Sequence, residues 1–204
     1  DEEGAVTAYT YDENGRLTQM TNALGFSTSF EYDAMDRVVK VTDAKGNATT
    51  YTYDAVGNVS TETNAKGVTT SYVYDANYNL TSLTDAAGTS TYLYDAMDRV
   101  VGQTDRRGNT QWFRYDAIGR ITAVRDKNGN LTEYIYDGNG NIVKTIDALG
   151  TEAVFTYNKN DQLISMDLHR MDTVNNVDSH EITLYEYDGR NLVTKEINAL
   201  GDST

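Results

Sequence analysis

The sequence predicts an all-β protein built from tandem β-hairpins. Three observations carry this prediction. The dipeptide Tyr-Asp recurs at intervals of mostly 21 residues, a second aromatic residue stands two positions before each of these tyrosines, and Asp, Asn and Gly cluster between the short apolar stretches. The 204-residue chain contains no proline and no cysteine. Without cysteine there is no disulfide framework and no thiolate metal site, so hydrogen bonds and packing have to hold the fold together.

Each repeat begins with a strand that carries two aromatic residues. The second of them, followed by Asp or once by Asn, lies at positions 11, 32, 53, 74, 94, 115, 136, 157 and 187. A spacing of two puts both rings on one side of a strand, because side chains alternate between faces along extended backbone. The nine pairs form a predicted structural aromatic ladder: Tyr9, Tyr11, Phe30, Tyr32, Tyr51, Tyr53, Tyr72, Tyr74, Tyr92, Tyr94, Phe113, Tyr115, Tyr134, Tyr136, Phe155, Tyr157, Tyr185 and Tyr187.

A turn and a second strand follow each aromatic pair. Six residues after the second aromatic residue an aliphatic residue always appears, from Leu17 to Val193. The Asp or Asn that follows the tyrosine can cap a type I turn. Three residues further on stands Gly, Asp or Asn, types that tolerate positive φ, with Tyr78 as the exception. We expect a hairpin with a glycine-type bulge.

A second turn of the same kind ends each repeat. An Asp or Asn is followed three residues later by glycine, and the predicted turn glycines are Gly25, Gly46, Gly67, Gly88, Gly108, Gly129, Gly150 and Gly201. Two reversals in each repeat predict a continuous antiparallel meander of roughly 18 short strands. We expect residues 1–204 to form a single array of nine repeats, with an insertion in the eighth repeat at about 168–181.

The repeat has the form G-x-x-x-x-Y-x-Y-D-x-x-G-R/N-L with a downstream T-D-x-x-G, and it resembles the YD repeat of the rearrangement-hotspot (Rhs) family. The segment YTYDAVGNV at residues 51–59 is near to the family consensus, and the resemblance covers essentially the whole chain. In this family, which includes Rhs polymorphic toxins, Tc-toxin shell subunits and teneurins, the repeats form a strip of β-sheet that spirals into a hollow shell. The resemblance implies the same strip, or part of it, here.

The resemblance implies a structural function and not an enzymatic one. In bacterial members the shell encloses a toxic carboxy-terminal domain, and a proline-rich, DPxG-like core segment closes the shell and cuts the cargo free. This chain contains no proline, so we expect that segment to be absent from it. The implied function is part of the wall of a secreted or cell-surface bacterial protein. Its partners would be the rest of a longer YD-repeat chain and the enclosed cargo domain.

Charge and hydropathy exclude two classes of partner. Lysine and arginine number 17 against 31 aspartates and glutamates, which gives a net charge of −14. Such a chain repels polyanions, so we expect no nucleic acid to bind. No apolar run approaches the roughly 20 residues needed to cross a bilayer, so we expect no membrane insertion. Open sheet edges at the ends of the array leave self-association as a further possibility.

The tyrosines leave a second hypothesis open. Rings that recur in every repeat are expected of packing, and cross-strand pairs stabilise a sheet. Tyrosine faces also stack on sugars, however. A cell-surface adhesin or carbohydrate-binding module is therefore the alternative function.

The turn carboxylates could also suggest calcium, and Asp126–Asn130 is faintly similar to a calcium loop. Calcium takes about six to eight oxygen ligands, however, and each turn supplies one carboxylate. We expect the aspartates to cap turns, and we predict neither a metal site nor a cofactor.

The histidines His169 and His180 flank the insertion. No nucleophile motif and no third metal ligand accompany them, so we predict no catalytic residues. Scaffolds of regular hairpins place specific contacts in irregular loops. The insertion, with His169, Arg170 and His180, is therefore the candidate partner loop.

Overall fold

The fold is all-β, which confirms the fold class predicted from the sequence. The computed structural model describes residues 6–172 and 177–198, and the side chains of these residues except 171, 172, 177 and 178. The described residues form eighteen strands and no helix. The chain comprises two compact units, Asp1–Gly108 and Asn109–Thr204, called here the N-terminal unit and the C-terminal unit.

The N-terminal unit is an antiparallel meander in which each strand pairs with the next one along the chain. Its ten strands are β1 (Ala8–Tyr11), β2 (Leu17–Thr21), β3 (Ser27–Tyr32), β4 (Val38–Thr42), β5 (Ala48–Tyr53), β6 (Val59–Thr63), β7 (Thr69–Tyr74), β8 (Leu80–Asp85), β9 (Gly88–Tyr94) and β10 (Val100–Thr104). The strands are four to seven residues long, the usual length for a strand between two tight turns.

The C-terminal unit repeats this meander with one longer hairpin. Its eight strands are β11 (Thr110–Tyr115), β12 (Ile121–Arg125), β13 (Leu131–Tyr136), β14 (Ile142–Ile146), β15 (Glu152–Tyr157), β16 (Leu163–Asp172), β17 (Val177–Tyr187) and β18 (Val193–Ile197). The organisation of the chain as one array of nine repeats stays a prediction.

The first turn of each repeat is a capped turn with a bulge. In the first repeat the backbone N–H of Gly15 donates to the carbonyl of Asp12, and the N–H of Asp12 donates to the carbonyl of Arg16, both at 3.0 Å. The Asp12 carboxylate accepts the N–H groups of Asn14 and Arg16 at 3.0 and 2.9 Å. The strand register shifts next to the turn, between Thr10 and Tyr11, which is the bulge.

Positive φ at the fourth turn position is set by the turn and not by the residue type. Gly15 adopts φ 79°, as the sequence suggests, but Tyr78 adopts φ 67° at the equivalent position of the fourth repeat. A tyrosine disfavours this region because of its Cβ. The Asp75 carboxylate nevertheless accepts the N–H groups of Asn77 and Asn79, both at 2.9 Å, so the turn keeps the same form.

The second turn uses the same chemistry at the other edge of the meander. In the first repeat Asn22 is the capping residue, and its side-chain oxygen accepts the N–H groups of Leu24 and Phe26, both at 3.0 Å. Gly25 has φ 83°. The equivalent glycines up to Gly150 also have positive φ, whereas Gly201 lies outside the described residues.

Neither unit has a hydrophobic core of the usual kind. Among the described residues only Gly102, Ala123 and Thr183 are buried. Each unit is one sheet with two faces, because side chains alternate along every strand. One face carries the aromatic pairs and is called here the aromatic face; the other is called the opposite face. No described helix could span a membrane.

The described part of the insertion lies in a lengthened hairpin. Strands β16 and β17 are ten and eleven residues long, and His169 lies directly across from His180. The candidate partner residues therefore lie in paired strands, because each backbone group there finds its partner across the hairpin. Residues 173–176, at the centre of the predicted loop, lie outside the described residues.

Candidate functional site at the seams between repeats

Backbone pairing between neighbouring repeats is incomplete. Strands β2 and β3 pair at Gln19–Ser29, Met20–Thr28 and Thr21–Ser27, all close to the second turn. Near the first turns the pairing stops, and side chains bridge the gap. This region between the first turns of consecutive repeats is called here the seam. In the first seam its main side chains are Arg16 and Tyr32.

A tyrosine hydroxyl closes most of the described seams at their centre. Tyr32 Oη donates to the backbone carbonyl of Leu17, in the preceding repeat, at 2.7 Å. The acceptor residue is the aliphatic residue that lies opposite the second tyrosine of its own repeat, as Leu17 does for Tyr11. The bond recurs, at 2.5–2.9 Å, from Tyr53 to Val38, Tyr94 to Leu80, Tyr136 to Ile121, Tyr157 to Ile142 and Tyr187 to Leu163.

Arginine reinforces several of the described seams. Arg16 Nε pairs with Asp12 in its own turn at 2.6 Å, while its Nη1 donates to the carbonyl of Asp33 at 3.3 Å and to Asp36 Oδ1 at 2.7 Å in the next repeat. The Arg16 guanidinium lies 5.0 Å from the centroid of the Tyr32 ring. The same cation–π arrangement, at 4.5 Å, joins Arg37 to Tyr53 and Arg120 to Tyr136.

Amide side chains replace arginine in other seams. Asn79 Nδ2 donates to Asp98 Oδ1 at 2.6 Å, and Asn141 Nδ2 donates to Asp161 Oδ1 at 2.8 Å. Sequence reasoning treated this position, five residues after the tyrosine, only as part of a turn. The signal was present, because the position is Arg, Asn or Gln in every repeat except the last, which has Leu192.

The ionisation states suit these bonds. The backbone N–H of Arg16 and its guanidinium lower the pKa of Asp12, and the Arg37 side chain lowers the pKa of Asp33. These carboxylates therefore remain charged acceptors at neutral pH. Burial raises the pKa of the Tyr94 and Tyr157 hydroxyls, which remain protonated donors.

The ladder residues share one face, but their rings do not stack on those of neighbouring strands. Tyr72 lies opposite Leu83, which in turn lies opposite Ser90, so a ring-free strand separates successive rows of rings. Two strand spacings amount to about 9.6 Å, beyond the reach of ring stacking. The rings are half-buried against the preceding repeat. Tyr9 and Tyr11 on β1, which has no preceding strand among those described, are 52% and 58% exposed.

The opposite face of the N-terminal unit is lined mainly by hydroxyl groups. Cross-strand pairs such as Thr52–Thr61 and Thr63–Thr69 lie side by side, with their oxygens 2.6 and 2.8 Å apart. The residues of this kind are Thr21, Ser27, Ser29, Thr42, Thr50, Thr52, Thr61, Thr63, Thr69, Ser71, Ser82, Thr84, Thr89, Thr91 and Thr104.

The opposite face of the C-terminal unit has a different composition. One row across strands β13 to β17 alternates apolar and charged residues: Ile135, Lys144, Val154, Asp167 and Ile182. Its three apolar members are exposed. Nothing in the repeat motif requires this pattern.

The two histidines of the candidate partner residues form a side-chain cluster on this face. The rings of His169 and His180 stack at 4.6 Å with an angle of 9° between them. His180 Nδ1 lies 3.0 Å from the Asp167 carboxylate, and His169 Nδ1 lies 3.8 Å from Glu152. Arg170 is exposed. Within the described residues no three His, Asp or Glu side chains are placed to hold a metal ion.

The sequence profile of the RHS Repeat family matches residues 1–26, 11–48, 32–69, 53–90, 74–110 and 115–152. Among solved structures, the Photorhabdus luminescens Tc holotoxin pore is similar at 15% identity, with a TM-score of 0.56, over 96% of this chain and 13% of that one. The TcdB2-TccC3 complex without its hypervariable C-terminal region is similar at 15% identity, with a TM-score of 0.49, over 96% of this chain and 14% of that one.

This chain therefore spans only a small part of the length of these structures. Among curated protein sequences none matches it significantly. The similarity to the holotoxin component agrees with the fold, and the profile matches cover well over half of the residues. The chain belongs to the RHS repeat family.

Proposed function

We propose that this chain forms part of the wall of an encapsulating shell in a longer, secreted bacterial Rhs protein. In this role it is structural and non-catalytic. Its partners are the remaining repeats of that protein and an enclosed cargo domain. The similarity to a toxin component named as part of a Tc holotoxin supports the toxin-type assignment.

The seam is the observation that carries this proposal. A wall needs each repeat fastened to the next along its whole width, with no gap through which solvent or protease passes. Backbone pairing fastens the half near the second turn, and the tyrosine hydroxyl with its arginine or amide neighbour fastens the half near the first turn. Because these bonds recur in most of the described seams, longer strips can be built from the same kind of repeat.

The single-layer architecture supports the same function. A globular enzyme or receptor usually buries a core and gathers polar groups in a pocket. Here the described residues leave both faces of each sheet accessible, and the polar side chains are spread evenly over the repeats. Such a sheet is suited to separating two compartments.

The experiment is proteolysis of a longer Rhs protein that contains this segment. We expect its carboxy-terminal region to resist protease while the shell is intact. The double variant Tyr53→Phe and Tyr136→Phe removes two seam hydroxyls and keeps the rings, so we expect faster cleavage of the cargo. Ile118→Ala, a change at an exposed first-turn tip, is the matched control and should behave as the wild type.

Far-UV circular dichroism of the same samples shows whether the sheet is retained in each variant. Cargo that is already cut readily in the wild type would contradict a wall function for this segment. Cargo that stays fully protected in the seam variant, with the sheet intact, would show that the seams do not limit access.

A further inference from the structure

The one tryptophan of the chain lies on the opposite face of the C-terminal unit, in the hairpin of β11 and β12. Trp112 is directly across from Arg125, and Arg114 lies two positions further along β11, on the same face. Trp112 is 43% exposed, and both arginines are exposed. These three residues, with Ala123 across from Arg114, are called here the Trp112 patch.

The repeat does not require the long side chains of this patch. In the five preceding repeats the residue equivalent to Arg125 is always threonine: Thr21, Thr42, Thr63, Thr84 and Thr104. In the same repeats the residue equivalent to Trp112 is small: Ala8, Ser29, Thr50, Ser71 and Thr91. A tryptophan and an arginine therefore replace small residues at neighbouring points of one hairpin. Tryptophan and arginine are the residue types that contribute most to binding at protein interfaces.

The four residues of the patch lie at the corners of a small quadrilateral. Residues directly across a strand pair have Cβ atoms about 5 Å apart, and diagonal neighbours are about 7–8 Å apart. The diagonal joins Arg114 to Arg125, so the two guanidinium groups can reach one ligand from two sides. Ala123 is 3% exposed and has only a methyl group, so it forms the floor between the longer side chains.

Neighbouring side chains do not neutralise the positive charge of the patch. Arginines in the turns are held by carboxylates, as Arg120 is by Asp116 at 2.6 Å. Within the part of the chain that the structure describes, neither Arg114 nor Arg125 forms such an ion pair. Glu133 borders the patch on β13 without pairing with either arginine. Because guanidinium groups stay protonated, the patch is a positive site in a chain of net charge −14.

We propose that the Trp112 patch binds an extended acidic peptide segment of a partner protein, with two carboxylates spaced two residues apart. Side chains at this spacing lie on one side of an extended chain, about 6.6 Å from each other, which is close to the diagonal between Arg114 and Arg125. Each guanidinium can bind a carboxylate through two parallel hydrogen bonds. Trp112 packs against the methylene groups and backbone of the peptide. This inference is independent of the wall function.

The charge distribution favours a peptide over a nucleic acid as the anionic partner. Nucleic acids bind through many phosphate contacts, and an acidic chain repels a long polyanion. Two carboxylates, in contrast, need no more than the two arginines of the patch. The short acidic segment therefore matches both the number and the spacing of the exposed cations.

The test is titration of the 204-residue chain with the octapeptide GSESESGS and with its glutamine analogue GSQSQSGS. Because Trp112 is the one tryptophan, its fluorescence reports binding at the patch. We expect the acidic peptide to change this fluorescence at concentrations up to about 1 mM, and to bind more weakly at high salt, because salt screens exposed charges. The glutamine analogue should leave the fluorescence unchanged.

Substitution by residues that other repeats carry removes each contact and keeps the sheet. Arg114→Thr and Arg125→Thr should each weaken binding of a fluorescein-labelled acidic peptide about tenfold in fluorescence anisotropy, because charge-assisted hydrogen bonds are lost. Trp112→Ser should weaken it as well. Arg190→Thr is the matched control, because it removes the same charge from an arginine that is 82% exposed and pairs with Asp188. It should bind as the wild type does, and thermal melts show that each variant remains folded.

Three results of these titrations would overturn the proposal: no binding of the acidic peptide, equal binding of its glutamine analogue, or binding that survives the double change Arg114→Thr and Arg125→Thr. Tighter binding of a single-stranded oligothymidylate, lost in the same double variant, would assign the patch to nucleic acid and would also overturn it.

Discussion

The two units carry similar side chains on the aromatic face and different ones on the opposite face. On the aromatic face, Tyr53 of the N-terminal unit and Tyr136 of the C-terminal unit make the same seam, down to the arginine over the ring. On the opposite face, the N-terminal unit presents hydroxyl pairs such as Thr52–Thr61, whereas the C-terminal unit presents apolar and charged residues such as Ile135 and Lys144.

This difference shows which part of the repeat is constrained. The aromatic face and the first turn hold consecutive repeats together, so their residues recur. The opposite face makes no seam and is free to vary. Contacts that are specific to this protein are therefore expected on the opposite face, where the Trp112 patch lies.

Acid should destabilise both units together, and we expect this to be the largest effect. Eleven turn aspartates, six in the N-terminal unit and five in the C-terminal unit, have a pKa lowered below the ordinary 3.8. A carboxylate with a lowered folded-state pKa stabilises the fold above its unfolded pKa, and that stability is lost as pH falls through the folded value. Thermal melts should therefore change little between pH 7 and 5 and fall steeply below pH 4. A flat profile down to pH 2 would show that the caps contribute nothing.

Truncation should distinguish the two faces. Tyr136→Ala removes a half-buried ring together with its seam hydrogen bond, and we expect it to lower the free energy of unfolding by about 3 kcal/mol. Its neighbour Ile135 points to the opposite face and is 47% exposed, so Ile135→Ala should cost about 1 kcal/mol or less. Urea denaturation measures both. Equal losses would remove the distinction between the faces.

Removal of single hydroxyls should show that the seam is the same in both units. Tyr53→Phe and Tyr136→Phe each delete one bond to a backbone carbonyl, at 2.5 and 2.7 Å. We expect each to cost about 1 kcal/mol in urea denaturation. A cost confined to one unit would mean that the same seam geometry does not contribute the same stability in the two units.

Ion pairs on the opposite face of the C-terminal unit should contribute stability that depends on salt. Lys144 Nζ lies 2.6 Å from Glu152, and both side chains are partly exposed. Lys144→Ala should cost about 0.5 kcal/mol at low ionic strength and less in 1 M NaCl, because salt screens exposed pairs. The same loss at both ionic strengths would assign the effect to packing of the lysine stem.

The opposite face of the N-terminal unit should be the most tolerant of substitution. The double change Thr63→Val and Thr69→Val removes both partners of one hydroxyl pair and keeps the shape of the side chains. Replacing both partners leaves no orphaned group, so we expect a change within about 0.5 kcal/mol of zero. A loss of stability comparable to that of Tyr53→Phe would show that the cross-strand hydroxyl pairs stabilise the sheet as much as the seam does.

The sequence by itself determined the strands, the turns and the common face. A spacing of two between aromatic residues has one physical meaning, a shared side of extended backbone, and an Asp or Asn before a glycine is a local turn signal that needs no tertiary context. These are interactions between residues close in the chain. The hairpins therefore follow from the sequence, including the bulge next to each first turn.

Only the tertiary structure decided what each side chain meets in the neighbouring repeat. The acceptor of Tyr32 is a carbonyl, which sequence does not distinguish from any other, and the partner lies 15 residues away. The separation of the ring rows and the stacking of His169 on His180 depend on register between strands. Register is set by the sum of many weak cross-strand contacts, and no single residue in the sequence identifies it.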